Sequence, residues 1–374
     1  MQESVKMFDR RALHNANAFK LGLFGANCSS GRSATLVEER WSGSWADNLR
    51  LALLAEERGL DFLLPIARWK GFGGQTDFQG TTLETLTWAA ALLAATERVT
   101  VFGTVHAPLI HPVIAAKQMV TADHIGHGRF GLNVVCGWNE GEFEMFDAKP
   151  GDHDARYRHG QEWLETIKEI WSRDDFDVDG EFHHFKGVRV KPKPFRETRP
   201  IIMNAGSSPQ GKAFALRNCD AFFTYANLSS LEQMAAGVRE MTATARSHGN
   251  EIGFYTVGVV VCRPTHAEAE AYHRHCFVEN ADWDAVDSLM QLHGQTPDTM
   301  PAEQYQRLRA ETATRGGFPL TGTPDEIAER LALLHQVGFT GIGVSFVNYL
   351  EELPYFCDEV LPRLEARGLR ATLS

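Results

Sequence analysis

The 374-residue chain lacks any apolar run approaching the roughly 20 residues a membrane-spanning helix needs. It also lacks a basic excess. The formal net charge is -11, which argues against nucleic acid and anionic membrane surfaces as main partners. No run of like charge is long enough to form a tail. Cysteine is sparse: Cys28, Cys136, Cys219, Cys262, Cys276 and Cys357 are scattered, with no CxxC and no disulfide-like cadence. Cys136 and Cys262 fall in apolar segments and read as buried thiols. Residues 1–20 are polar and mixed in charge, without the apolar stretch of a signal peptide. These absences predict a cytoplasmic protein. Several catalytic signatures are missing too. There is no HExxH, no Cys/His metal set and no GxSxG nucleophile elbow. His153/His159, His183/His184 and His273/His275 lack metal spacing, so no metal is expected. No paired carboxylates stand out.

What the chain does have is alternation of strand and helix. Apolar, β-branched segments at Lys20–Phe24, Leu60–Ile66, Arg98–Val105, Phe130–Cys136, Pro200–Asn204, Ala221–Tyr225, Gly253–Arg263 and Gly341–Val347 read as eight strands. Helical spacing follows them at Trp45–Gly59, Leu83–Thr96, Pro112–Gly128, His153–Arg173, Gln210–Arg217, Leu231–His248, Thr265–Ala281, Pro324–Gly338 and Glu351–Arg367. In the long helix, Trp163, Ile167, Ile170 and Trp171 form the apolar face, and Asp152 begins it. The natural closure is an α/β fold, a (β/α)8 TIM barrel, in one domain over residues 1–374. A doubly wound sheet is the rival, but the first strand runs into Gly25-Ala-Asn-Cys-Ser-Ser-Gly31, which lacks GxGxxG spacing. Three insertions interrupt the pattern, at about 25–44, 174–199 and 279–320. The middle one reads as a hairpin followed by Lys191-Pro-Lys-Pro194. The first and third read either as lids over the barrel mouth or as surface decoration.

In a barrel of this kind ligands bind where the strands end. Arg129-Phe-Gly-Leu-Asn-Val-Val-Cys-Gly-Trp138 is an apolar strand interrupted by Asn133 and ending in a polar cluster with Glu142. A buried amide needs partners, so Asn133 satisfies local backbone or faces a ligand. The second strand delivers Ala67, Arg68, Trp69 and Lys70, and the third delivers Thr104 and His106. The fifth delivers Asn204-Ala-Gly-Ser-Ser208 just before a helix. Gly206, Ser207 and Ser208 there offer free N–H groups, hydroxyls and a helix dipole to an anion. Ser207 or Ser208 capping its own helix uses the same geometry. Arg156 and Tyr157 add a cation and a phenol. An anion grip with amides but no nucleophile or metal suggests a phosphorylated organic cofactor.

Lys70-Gly-Phe-Gly-Gly-Gln-Thr-Asp-Phe78, Ala115-Ala-Lys-Gln118, Gly128-Arg-Phe-Gly-Leu-Asn133 with Gly137-Trp138, His153-Asp-Ala-Arg-Tyr-Arg158, the Lys-Pro-Lys-Pro segment and Gly322-Thr-Pro-Asp-Glu-Ile-Ala-Glu-Arg330 occur in that order. Taken together they resemble the bacterial-luciferase-like flavin-dependent oxidoreductases over roughly Lys20 to Leu364, most closely the branch of pyrimidine and dimethyl-sulfone monooxygenases. The resemblance implies a barrel that binds FMN at its mouth. Ala67, Arg68, Asn133 and Glu142 would lie along the ring or ribityl chain, and Arg156, Tyr157 and Ser208 would hold the phosphate. It implies a two-component enzyme that takes FMNH2 from a separate NAD(P)H:flavin reductase. With O2, that enzyme oxygenates a small-molecule substrate and cleaves a carbon–heteroatom bond. Thr104 and Asn133 would shape an oxygen pocket in which a flavin N5-peroxide, rather than a C4a-peroxide, forms. For Thr104 the plainer reading is a β-branched residue filling the barrel. A homo-oligomer, dimer or tetramer, is expected from the same resemblance.

The substrate class is left open among pyrimidines, sulfones and organohalides, because the chain departs from the pyrimidine enzymes in Gly25–Ser44 and Glu279–Leu320. His106, Trp69 and Trp138 line the pocket or simply pack. The competing functions are a deazaflavin-dependent oxidoreductase on the same barrel and a non-catalytic flavin-binding protein.

Overall fold

The computed structural model describes residues 9–149, 151–226 and 230–372; the polar stretch before residue 9 lies outside them. Eight parallel strands close on one another: β1 (Lys20–Phe24), β2 (Phe62–Leu64), β3 (Thr100–His106), β4 (Phe130–Val135), β7 (Ile201–Asn204), β8 (Ala221–Phe223), β9 (Gly253–Cys262) and β11 (Gly341–Ser345). The last pairs with the first, Lys20 opposite Gly341, so no barrel edge is left open. This is the expected (β/α)8 barrel. The strands are shorter than their apolar runs because only the paired core of each run enters the ladder.

Alternation along each strand sorts the side chains. Phe62, Leu64, Phe102, Ile201, Met203, Ala221, Phe223 and Tyr255 fill the interior. Tyr255 stacks on Phe223 at 5.9 Å and meets Phe62 edge-on at 5.8 Å. Leu21, Leu63, Val101, Leu132, Val134 and Ile202 face outward against the helices. Two steps beyond the inward Phe102 comes Thr104, and two beyond that His106. Thr104 is paired in register with Asn133. Periodicity alone therefore lifts Thr104, His106 and Asn133 onto the inner wall at the mouth.

The helices that wrap the barrel include α1 (Trp45–Glu57), α2 (Thr85–Ala95), α3 (Pro112–Ile125), the short α4 (Glu140–Met145) and α5 (His153–Ser172). In α5, Trp163, Ile167, Ile170 and Trp171 are buried and Asp152 accepts the Ala155 N–H at 2.7 Å. These are the predicted face and cap. The hairpin β5 (Phe176–Asp179) and β6 (His184–Val188) stands apart from the barrel sheet. Next come α6 (Pro209–Asn218), α7 (Leu231–Ser247) and α8 (His266–Arg274), which continues as one π turn, His275–Glu279.

The stretch after β9 is more regular than its sequence predicts. It contains α9 (Trp283–Leu292) and α10 (Ala302–Ala313), then a short strand β10 (Leu320–Gly322) that pairs in parallel with the end of β9. Ala285, Val286, Leu289 and Met290 of α9 pack with Ala34, Val37, Phe72 and Phe78 into a second apolar cluster. That cluster ties the first and third insertions together. Gly317 is held close to β9: Phe318 donates to the Val257 carbonyl at 2.7 Å, and a Cβ on Gly317 would lie 2.7 Å from the same oxygen. The chain is pinned to β9 there. The remaining elements are α11 (Pro324–Gln336) and α12 (Tyr349–Glu365).

Candidate functional site

The strongest interaction at the mouth is a buried ion pair. Glu142 lies in the first turn of α4, whose N-cap Asn139 accepts the Gly141 N–H at 3.2 Å. From there its carboxylate turns back over the barrel. Oε1 accepts from Arg68 Nη1 at 2.8 Å, from the Trp69 N–H at 2.8 Å and from the Lys70 N–H at 3.3 Å. Both side chains are almost wholly buried. Glu142 thus fixes the turn after β2 and holds the Arg68 guanidinium over the mouth.

His106 Nε2 lies 4.0 Å from Glu142 Oε2, too far for a hydrogen bond. Burial lowers its pKa to about 4; Glu142 works against that shift and Arg68 adds to it. At neutral pH this histidine is therefore an uncharged part of the wall.

Below it lies a small polar relay. Thr104 Oγ1 donates to the Pro65 carbonyl at 2.7 Å, and Asn133 Nδ2 donates to Thr104 Oγ1 at 3.1 Å. Asn133 Oδ1 is buried with no hydrogen-bond partner. The amide orientation follows from the threonine: its proton is committed to Pro65, so it can only accept from Asn133. One N–H and the carbonyl oxygen of Asn133 remain for a ligand. Ala67, Arg68, Thr104 and His106 bound a cavity of about 50 Å³ beside this relay, enough for a few small molecules of water size.

The second cluster stands where β7 meets α6. Asn204 donates to the Val134 carbonyl at 2.7 Å and accepts the Gly206 N–H at 2.8 Å, so the Gly206 amide is engaged within the protein. Ser208 caps α6, accepting the Gly211 N–H at 3.1 Å. The capping reading is thus met by Ser208. Ser207 is exposed, and among the described residues the Ser207 and Ser208 N–H groups have no protein acceptor. The Tyr157 hydroxyl presses on two glycines: a Cβ on Gly206 or Gly211 would lie 2.6 or 2.5 Å from it. Burial raises the Tyr157 pKa, while its hydrogen bond with Ser208 opposes the shift. Arg156 is half-buried one residue earlier on α5, and no carboxylate pairs with it among the described residues. Tyr157 and Ser208 are therefore brought together, and the Arg156 charge is close enough to act on Tyr157.

Aromatic groups roof the mouth. Trp138 stacks on His293 at 4.4 Å and on Phe72 at 6.3 Å. The Arg68 guanidinium carbon lies 4.6 Å from the Phe72 ring and 5.4 Å from the Trp138 ring. Trp69 borders the small cavity and also packs edge-on against Phe146 at 4.9 Å. Sequence reasoning missed Arg32, His293 and Arg315, which the two insertions bring to the same place. The Arg315-Gly-Gly317 run was the available signal. A larger cleft of about 460 Å³ lies to one side, lined among others by Tyr225, His273, Arg307 and Phe318. It contains none of the predicted residues, and the convergent polar groups make the mouth the candidate site.

A family model described as luciferase-like monooxygenase matches residues 21–341. The chain belongs to this family. It is 32% identical over 364 residues to an FMNH2-dependent dimethylsulfone monooxygenase of Pseudomonas fluorescens strain Pf0-1, covering 95% of this chain and 97% of that one. It is 28% identical to the pyrimidine monooxygenase RutA of Acinetobacter baylyi, covering 93% and 95%. The solved riboflavin lyase RcaE, with modified FMN and riboflavin, superposes with a TM-score of 0.84 at 21% identity, covering 94% of this chain and 92% of that one. At that identity the likeness shows the shared luciferase-like fold. As an enzyme, the chain is thus placed among monooxygenases. Among the described residues no helix is long and apolar enough to cross a membrane, and no His/Cys/Asp/Glu group is arranged to hold a metal ion. The described cysteines are all free and buried.

Proposed function

We propose that this protein is a two-component FMN-dependent monooxygenase, supplied with FMNH2 by a separate NAD(P)H:flavin reductase, that uses O2 to cleave a carbon–heteroatom bond in a small organic substrate. The observation that carries the reading is the orphaned acceptor Asn133 Oδ1, buried at the mouth beside the Arg68–Glu142 pair. A buried oxygen left without a donor costs about 1–3 kcal/mol. A reduced flavin ring carries N–H donors that an oxidised ring lacks, so the site suits the reduced form. The named activities of the dimethylsulfone and pyrimidine relatives support the same chemistry.

The residues fit the cofactor at both ends. Arg156, Tyr157 and the free N–H groups of Ser207 and Ser208 supply charge and donors for a phosphate, and Gly206 leaves room for the Tyr157 hydroxyl. Ala67, Arg68, Asn133 and Glu142 would border the ring. When bound, the reduced flavin supplies the two electrons that activate O2. Asn133 offers its remaining N–H to negative charge developing on oxygen, in a site from which water is largely excluded. Thr104 acts through Asn133: its hydroxyl, tied to Pro65, fixes which way the amide faces. Neutral His106 and the aromatic roof of Phe72 and Trp138 keep the surroundings dry, and Glu142 holds the Arg68 guanidinium in place.

The test supplies chemically reduced FMN and heavy-oxygen-labelled O2 with uracil, dimethyl sulfone, a halophenol, or an organic anion such as methanesulfonate or benzoate. The expected result is one labelled oxygen atom in the product of one substrate class. Oxidation of the flavin without labelled product in any class, or turnover only with a deazaflavin cofactor, would overturn the reading.

A further inference from the structure

Three guanidinium groups share one corner of the mouth with a single carboxylate. Arg68 is paired with Glu142. Arg32, 6% exposed, donates through Nη2 to the carbonyls of Arg315 and Gly316 at 2.6 and 3.0 Å. It therefore spends its donors on backbone and gains no countercharge. The Arg315 guanidinium carbon lies 5.0 Å from the Phe72 ring, which Arg68 also covers. The Nε atoms of all three arginines are buried without an acceptor. Among the described residues no carboxylate pairs with Arg32 or Arg315. In a chain of net charge -11, this is a local surplus of positive charge at depth.

The surroundings bear this out. Burial and then the charges of Arg32 and Arg68 hold the Arg315 pKa well below its ordinary value. Burial, then Arg315 and Arg68, lower the pKa of His293, so the imidazole stacked on Trp138 adds no further cation. Arg315 itself sits at φ 56°, a conformation side chains rarely adopt, and Arg32 holds its carbonyl in place. A buried charge without a partner is costly unless something brings the opposite charge. The cofactor phosphate does not answer this need under the reading above, because its grip lies after β7, and β1, which precedes Arg32, stands across the barrel from β7.

We propose that Arg315, backed by Arg32 and Arg68, forms an oxyanion-binding subsite for the non-reacting end of the substrate, so that the substrate is an organic carboxylate or sulfonate rather than a neutral sulfone or pyrimidine. This rests on the monooxygenase reading for the word substrate, and on the arginine cluster alone for the anion. Arg315 is the recognition group, its outer nitrogens unclaimed among the described residues. Arg32 positions it through the backbone. Phe72 and Trp138 provide the apolar wall against which the rest of such a molecule would lie.

The test is calorimetric titration of the protein, with and without saturating FMN, using matched probes: methanesulfonate against dimethyl sulfone, and benzoate against benzamide. The expected result is that the anion of at least one pair binds about tenfold or more tightly. Arg315→Gln should erase that preference, and Arg315→Lys should restore part of it. Circular dichroism and FMN titration show whether each variant is folded. Equal or weaker binding of the anion in both pairs, or a preference that survives in folded Arg315→Gln, would overturn the subsite. If anions bind as expected but no labelled product forms from any substrate, the function reading fails and the subsite stands. If a neutral substrate alone is oxygenated, the reverse holds.

Discussion

Asn133 donates to Thr104 across the β3–β4 register at 3.1 Å, and Thr104 in turn donates to the Pro65 carbonyl. The two side chains therefore have unequal roles. Of the two, only Asn133 keeps a donor for a ligand, and Thr104 decides which way that donor points.

Thr104→Val removes the hydroxyl while keeping the shape. It leaves the Pro65 carbonyl without its donor, and we expect a stability loss of about 1–3 kcal/mol in urea unfolding. The amide of Asn133 is then free to flip, so product formation should fall by roughly tenfold or more. FMN binding, governed mainly by the phosphate end, should change little. Equal product yield at equal flavin occupancy would remove the orienting role.

Asn133→Leu abolishes the orphaned acceptor. Wild-type protein should bind reduced FMN more tightly than oxidised FMN, and the variant should narrow that gap by about tenfold, the scale of one buried hydrogen bond. Anaerobic and aerobic titrations give both constants. An unchanged ratio would show that Asn133 does not sense the redox state.

Glu142→Ala strips three donors of their acceptor and leaves Arg68 as an uncompensated buried charge. The expected cost is about 3–5 kcal/mol, visible as a large drop in the urea midpoint. Glu142→Gln keeps an acceptor oxygen and should lose less. Similar losses in both variants would mean that the charge itself carries the effect.

His106 gives a pH signature. Its folded pKa is about 4, against 6.5 for the free group. Between those values the unfolded chain binds more protons than the folded one. Stability from this residue is therefore full above about pH 6.5, drains as pH falls and levels below about pH 4. Its size has an upper limit of roughly 3 kcal/mol. His106→Gln should flatten the stability profile in that window; an unaltered slope would place the acid sensitivity elsewhere.

Gly206→Ala places a methyl group 2.6 Å from the Tyr157 hydroxyl. Tyr157 must shift, and FMN affinity should fall by about tenfold while riboflavin, which lacks the phosphate, is less affected. Equal losses for both flavins would move the phosphate site away from α6.

Much of this was legible in sequence because it depends on local periodicity. Alternation from Phe102 to Thr104 and His106, and an amide interrupting Phe130–Val135, place polar groups on a barrel wall before any tertiary contact is known. The Asp152 cap and the Trp163–Trp171 face are likewise local. What sequence could not show depends on distant meetings. Arg32 and Arg315 lie far apart in the chain and become neighbours only because α9 packs onto the loops after β1 and β2. The direction of the Asn133 amide depends on Pro65, whose carbonyl role leaves no trace in composition. The α9 and α10 helices gave weak signals because their apolar positions face a satellite cluster and not the barrel.

The most direct test of the central claim is rapid mixing of anaerobic FMNH2-loaded protein with O2, followed spectrally, for wild type and Thr104→Val. The account predicts a protein-dependent oxygenated flavin species in the wild type, with its yield or lifetime reduced in the variant. Flavin oxidation at the rate of free FMNH2 in both proteins, with no such species, would contradict it.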